Sequence, residues 1–291
     1  MKKAAVFGVG SFFEQHYKFL IKKYELIVLA DNNPDNQRKK IHEIECVPPE
    51  ELKDFSFDVL IVAVYWKQHR EKILEQVSFL DLKNVKIIMA EECTPPVFDN
   101  KNFGKGFVDY TDEFNNHIVI EDNVPVGNSI IVRLSGVNNF VKIEKGVIVS
   151  EQLHLVCIGE DNVFHMEENT SVMSMHCEVS EHGRIHIGKD CMFSWGIQLI
   201  QHPAHPIYEK ETGKRVNVSK SIDIGEHVWI GKEAILLNGF AIGSGSVVGH
   251  ASVSSGKFGE DQIVVGNPAK VIRENICWKR DVVGYYPLNS L

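Results

Sequence analysis

Five consecutive six-residue units occupy residues 224–253: IGEHVW, IGKEAI, LLNGFA, IGSGSV and VGHASV. An aliphatic residue opens each one, at Ile224, Ile230, Leu236, Ile242 and Val248. Glycine follows in four of the five. The fifth place is small or aliphatic at Val228, Ala234, Ser246 and Ser252, with Phe240 the bulky exception. A helix repeats its apolar face about every 3.6 residues and a half-buried strand about every 2, so neither explains this pattern. A solenoid of short parallel strands does. Each unit is then one side of a triangular coil, and three units close a turn. The aliphatic residue points to the axis, and glycine tolerates the special backbone angles of the corner. The same spacing recurs at Ile187, Phe193 and Leu199. A further unit starts at Ile158, and weaker ones run from Ile118 through Val124 to Ile130.

The first third reads differently. Residues 3–9 form a buried strand, and Gly8-Val9-Gly10 makes a tight turn. Residues 12–23 read as a helix with Phe12, His16, Phe19 and Leu20 near one face. ELIVLAD is a second strand ending at Asp31, DVLIVAV (58–64) a third and KIIMA (86–90) a fourth, with a helical stretch at 67–77. Alternation of this kind implies a parallel sheet with helices on its faces. Gly8, Gly10 and Asp31 are part of a dinucleotide fingerprint, in which glycines admit a pyrophosphate and the acid binds a ribose hydroxyl. Phe13 occupies the place of the third glycine, so a fold without bound nucleotide and a nucleotide cleft both stay open. The segment resembles the small Rossmann-like N-terminal domains attached to some bacterial sugar acyltransferases, which cradle a nucleotide-sugar acceptor.

Charge and cysteine usage narrow the function classes. The balance of 31 basic against 39 acidic residues argues against nucleic acid as a partner, because phosphate binding needs a basic footprint. The longest apolar run, Val59 to Trp66, is too short to span a bilayer. The N-terminus superficially resembles a signal peptide, but Gly8, Gly10, Glu14, Gln15 and His16 favour strand then helix. Six widely spaced cysteines without a CxxC pair fit reduced thiols and a cytoplasmic location.

The repeat resembles the left-handed β-helix acyltransferases, the hexapeptide-repeat family, over about residues 118–273. Three ordered motifs sharpen the likeness. AHPIYEKETGKRVN (204–217) interrupts the units and looks like the His-Ser-Ile-Tyr-Asp loop of bacterial sugar and capsule O-acetyltransferases. Here it reads His205-Pro206-Ile207-Tyr208-Glu209, with proline and glutamate departing from serine and aspartate. HVWIG (227–231) and VGNPAKVIR (265–273) follow, the latter a hallmark of acetyl-CoA users. The expected organisation is a Rossmann-like α/β domain (1–93), a linker (94–117) carrying Pro95, Pro96, Gly104 and Gly106, an all-β left-handed parallel β-helix (118–273) and a tail (274–291). Left-handedness comes from the family, since the general crossover rule gives the opposite hand.

Acyl transfer from a thioester to a sugar hydroxyl needs a base for the hydroxyl proton, a donor for the oxyanion and an acid for the thiolate. One histidine titrating near neutrality can serve as both base and acid. The resemblance gives that role to His205, with His202 the local rival. It places Trp229, on an outward place of the repeat, beside both acyl-CoA and acceptor, and Tyr208 at the acceptor. Asn267, Lys270 and Arg273 line the CoA groove, with an ammonium suited to CoA phosphate. Gly249 and Ser252 would offer backbone contacts to the pantetheine. His227 reads as structural. Cys191, at an inward place, reads as a small hydrophobe, which favours direct transfer in a ternary complex.

Nine of thirteen histidines lie between 154 and 250. Some left-handed β-helix proteins are carbonic anhydrases with three histidine ligands, and His176, His182 and His186 are close in sequence. The rest of that pattern is not evident, so no metal is expected. The leading expectation is an acetyl-CoA-dependent O-acetyltransferase acting on a sugar of a cell-surface polysaccharide or its precursor, working as a homotrimer. The alternatives are N-acetylation of a nucleotide-linked amino sugar and a non-catalytic scaffold.

Overall fold

The structure is a computed structural model that describes residues 1–93, 98–99, 107–122 and 129–281. Pro95, Pro96, Gly104, Gly106 and Val124 lie outside the described residues, as does the tail beyond 281.

Residues 1–93 build one sheet from β1 (Lys2–Phe7), β2 (Tyr24–Ala30), β3 (Lys40–Ile41), β4 (Ile44–Val47), β5 (Val59–Val62) and β6 (Lys86–Met89). The spatial order is β3-β4-β2-β1-β5-β6. All neighbours are parallel except the β3–β4 hairpin, which the sequence pattern did not show. Helices α1 (Ser11–Lys23) and α2 (Lys67–Ser78) connect the strands. The inward face of α1 is Phe13, His16, Phe19 and Leu20. Phe12 is only partly buried, so the expected face is corrected by one position. Phe13 fills the space that a third glycine would have left open. Asp31 directly follows β2, and its Oδ2 accepts the Val9 N–H at 2.9 Å, pinning the glycine turn to the end of the neighbouring strand. Gly8 has φ +97°, and a Cβ there would sit 2.7 Å from Val64 Cγ2.

From Val108 the chain winds into a parallel β-helix whose coils stack on three faces. Strand Val108–Thr111, within the segment expected to be linker, pairs antiparallel with His117–Ile120 and starts the stack. In the upper coils the six-residue arithmetic holds. Trp229 pairs with Val247 and Ile235 with Val253, so one turn takes 18 residues. Ile224, Ile230, Leu236, Ile242 and Val248 are buried, and so are Val228, Ala234, Phe240, Ser246 and Ser252. Phe240 is accommodated because the ring of Phe258 lies 5.9 Å away in the next coil.

The lower coils are longer. His154 pairs with His176, a turn of 22 residues, and Phe140 with Val163, a turn of 23. The extra residues broaden one corner, where Asn116, Asn139 and Asn162 are buried in a ladder. Asn139 Nδ2 donates to Asn116 Oδ1 at 2.9 Å, and Asn162 Nδ2 to Asn139 Oδ1 at 2.8 Å. This satisfies amides that would otherwise be costly to bury. The unit expected from Ile158 is off by one, because Cys157 is buried and Ile158 is partly exposed.

The two parts touch through α1. Phe19 meets Phe114 edge-to-face at 4.8 Å, and both pack with Val137. Lys18 pairs with Glu160, and Lys23 with Glu113 at 3.3 Å.

Candidate active site

Parallel pairing between successive coils defines three faces. The first face carries Met192–Phe193, Trp229–Ile230 and Val247–Val248; the second carries Ile148–Glu160 in part, Ile197–Ile200 and Ile235–Leu237; the third carries Val163–Met166, Arg184–Ile187 and Ile222–Ile224.

The motif AHPIYEKETGKRVN leaves the helix at the corner between the second and third faces, after Ile197–Ile200. It is a two-sided finger. Tyr208 bridges Arg215 antiparallel, and the Val216 N–H donates to the Ile207 carbonyl at 2.8 Å. Its tip turns at Gly213, with φ +67°. Its base is closed by Gln201, whose Nε2 donates to the Lys220 carbonyl at 3.1 Å. Asn217 fixes the other side by donating to the His205 carbonyl at 2.7 Å and accepting the Ile207 N–H at 2.7 Å. His205 therefore has an ordered backbone and an exposed ring. Among the described residues that ring has no hydrogen-bond or ion-pair partner. Ile207, Tyr208, Val216 and Val218 are each more than half exposed, an unusual concentration of apolar surface on one finger.

His202 has the opposite setting. Its side chain is 10% exposed, and Nε2 lies 3.2 Å from Glu178 Oε2. The other Glu178 oxygen lies 2.8 Å from His176 Nε2, and His176 Nδ1 lies 3.2 Å from His154 Nδ1. A chain of four titratable groups thus runs along the second face, and three of them, His154, His176 and Glu178, line a cavity of about 470 Å³ with Gln152, Ser174 and Gln198. Burial pushes the Glu178 carboxyl up. The hydrogen bond from His176 and the two facing imidazoles outweigh it and hold that carboxyl below its ordinary range. Burial, then His176 and Arg133, push His154 down, and its Nε2 is buried with no hydrogen-bond partner among the described residues. Sequence reasoning missed this cluster because a 22-residue coil is not a multiple of six. The available signal was the His176-x-Glu178 alternation, which puts both side chains on one side of a strand.

Trp229 lies on the first face, away from the finger. Its ring is partly buried, and its Nε1 is buried without an acceptor among the described residues. His227, expected to be structural, is held by the tail and by a lower coil. Trp278 stacks on it, and Asp190 Oδ2 lies 2.6 Å from its Nδ1. Arg280 adds a 2.9 Å ion pair to Asp190 and donates to the carbonyls of Asp190 and Cys191. These tail contacts had no sequence signal. Burial raises the Asp190 carboxyl, but the bonds from His227 and Arg280 leave it below the usual range.

Asn267, Lys270 and Arg273 belong to a hairpin in which Ala269–Arg273 folds back on Ile263–Gly266, with Lys270 and Arg273 exposed. Ser252 is inward and fully buried, and its carbonyl accepts the Ile235 N–H. The Gly249 N–H donates to Val264. Those two backbone groups are spent between coils. His176, His182 and His186 are not gathered: the first is on the second face, the third on the third face, and His182 pairs with Asp161 at 3.3 Å. Burial pushes the Cys157 and Cys191 thiols up to about 12, and Cys177 well above its ordinary value.

One chain therefore separates the candidate groups. His205 and Tyr208 are on the finger at one corner, Trp229 is on the first face, and Lys270 is on the end hairpin. Among the described residues no helix is long and apolar enough to cross a membrane.

Comparison with known proteins covers both parts. Residues 1–88 match the family model "C2185-like, N-terminal". A polysialic acid O-acetyltransferase of Neisseria meningitidis is 37% identical over 168 residues, 57% of this chain and 76% of the relative. A polysialic acid O-acetyltransferase of Escherichia coli O1:K1 / APEC is 33% identical over 136 residues, 47% of this chain and 42% of the relative. The crystal structure of the polysialic acid O-acetyltransferase OatWY superposes with a TM-score of 0.52 at 32% identity, over 59% of this chain and 81% of that one.

Proposed function

The chain belongs to the hexapeptide-repeat acetyltransferases, and from that premise we propose that it carries an acetyl group from acetyl-CoA to a hydroxyl of an acidic surface glycan, of the polysialic acid class. The observation that carries this reading is the finger. A rigid stack holds His205 at the finger's base, on a loop fixed by Asn217, with the imidazole free to meet a substrate. The exposed Lys210 and Lys214 give the finger cations for an anionic acceptor.

In the proposed reaction the His205 imidazole takes the proton of the acceptor hydroxyl as its oxygen attacks the thioester carbonyl. The tetrahedral intermediate collapses, the C–S bond breaks, and the imidazolium returns the proton to the CoA thiolate. The coil thiols Cys157, Cys177 and Cys191 are buried and stay protonated, which supports direct transfer over an acyl-cysteine route. Trp229 offers its partly exposed indole as a wall for acyl chain and acceptor. Tyr208 meets the acceptor, and Asn267, Lys270 and Arg273 line the path of CoA.

The separation of His205 from Trp229 supports a site shared between copies. A cyclic trimer sets the finger of one protomer against the first face of the next and covers Ile207, Tyr208, Val216 and Val218. The coil is read as left-handed from the family likeness, and the reduced thiols and acetyl-CoA use go with a cytoplasmic location.

A second reading rests on the N-terminal sheet. A cavity of about 270 Å³ lined by Gly8, Asp31, Asn32, His69 and Lys72 opens at the carboxyl ends of β1, β2 and β5, where open α/β sheets bind ligands. It favours a nucleotide-linked amino sugar as acceptor. An acceptor screen separates the two: release of CoA thiol with polysialic acid supports the first, and release only with nucleotide amino sugars replaces it with the second.

A further inference from the structure

The third face carries a cluster that acetyl transfer does not use. His165 and Met166 end the strand Val163–Met166, whose alternation sends Met166 into the core and leaves His165 on the outer side, and Glu167 follows directly, partly exposed. The next coil places His186 in register with His165. One coil thus supplies two donors and its neighbour a third directly against them. The two imidazoles lie with ring centroids 5.5 Å apart, and one donor atom from each of His165, Glu167 and His186 falls within 4.8 Å of the others. All three side chains are less than one-third exposed.

We propose that His165, Glu167 and His186 bind a divalent transition-metal ion, zinc foremost. Two imidazole nitrogens and one carboxylate oxygen are a zinc donor set, with the fourth position open to water. Side-chain rotation would bring the three donors to three corners of a tetrahedron with bonds of about 2.1 Å. The surroundings suit the exchange. Glu167 is oriented by the Lys189 N–H, which donates to its Oε2 at 3.1 Å, the kind of outer contact that fixes a metal-binding carboxylate. His165 Nε2 now lies 2.9 Å from Glu144 Oε1. When it turns to the metal, Glu144 keeps the Lys142 ammonium at 2.9 Å and is not left unpaired. The site clamps one coil to the next, so the ion adds to the stability of the stack. The trio differs from the sequence-adjacent His176, His182 and His186, which the fold scatters. It is also independent of the acetyl-transfer reading, because it uses no residue of that site.

The test is zinc titration of metal-stripped full-length protein against a chromogenic chelator, with Cys277 alkylated, alongside thermal unfolding. The expected result is one zinc per chain and a higher midpoint with zinc, since a ligand of the native state stabilises it. His165→Ala and His186→Ala each lose the stoichiometric binding, and Glu167→Gln weakens it ~10-fold or more. His154→Ala, on the second face, keeps it. Circular dichroism checks that each variant is folded, and His165→Gln replaces His165→Ala if the latter is not. No saturable binding by the unaltered protein overturns the proposal. So does binding that survives both histidine substitutions, or binding lost in His154→Ala.

Discussion

Trp278 lies flat on His227, with ring centroids 4.1 Å apart and planes 11° from parallel. The contact is doubled by hydrogen bonding, because Trp278 Nε1 donates to the His227 carbonyl at 2.8 Å. Two residues further on, Arg280 reaches Ser171 and Asp190 in lower coils. The tail is thus a brace across the coils beside Trp229, whose ring lies 6.1 Å from Trp278.

Trp278→Ala removes the stacked pair and its hydrogen bond. A stacked aromatic pair is worth about 0.5–1.5 kcal/mol beyond its burial, so the loss is on the order of 2 kcal/mol. Chemical denaturation followed by circular dichroism measures it. An unchanged midpoint contradicts the role of the tail as a brace.

Glu178 and His154 give the second face a pH dependence. The folded carboxyl of Glu178 is depressed, so its contribution is present above the ordinary glutamate value and lost as pH falls through the folded value. The folded His154 is also depressed, so its unfolded form binds the proton first and stability falls as pH drops below about 6.5. Denaturation midpoints from pH 8 to 5 should fall for the unaltered protein and fall less for His154→Gln. Equal slopes sink the assignment.

Gly136 faces Gly159 across adjacent strands, and a Cβ on Gly136 would lie 1.4 Å from the Gly159 carbonyl oxygen. Gly136→Ala must push the two lower coils apart. The expected cost is several kcal/mol, at the upper end of single substitutions, and is read as a lower thermal midpoint and reduced soluble yield. A variant as stable as the parent contradicts the packing described.

A trimer should appear by light scattering at micromolar concentration. Replacing Tyr208 and Val216 by charged residues should shift the mass downward and lower turnover together. A fully active monomer removes the shared-site account.

The legibility of the sequence followed the regularity of the coil. Upper coils of 18 residues expose their register as plain six-residue spacing, so the buried identities of Ile224 through Val248 could be read directly. Lower coils of 22 and 23 residues hide theirs. The extra residues feed the buried Asn116–Asn139–Asn162 ladder, and counting in sixes misplaces Ile158 by one. The N-terminal strands were legible because parallel strands buried on both faces are continuous apolar runs. The Asp31 bond to Val9 was not, because the same acid at the end of β2 serves a ribose or a backbone N–H equally well. At the candidate site, the motif residues could be named one by one from the sequence. Their distribution over a corner and two other places of the helix was not, since three-dimensional placement depends on coil length and on the finger's point of insertion.

Turnover of His205→Ala and His202→Ala, measured beside acetyl-CoA affinity, tests the central claim most directly. His205 stands on the finger with an exposed ring that has no partner among the described residues, while the His202 side chain is 10% exposed and held against Glu178. Removing a general base costs ~10²- to 10⁴-fold. The account predicts that loss in His205→Ala with acetyl-CoA affinity retained, and a much milder effect in His202→Ala. Full turnover in His205→Ala with a dead His202→Ala would contradict it and move the base to the Glu178 cluster.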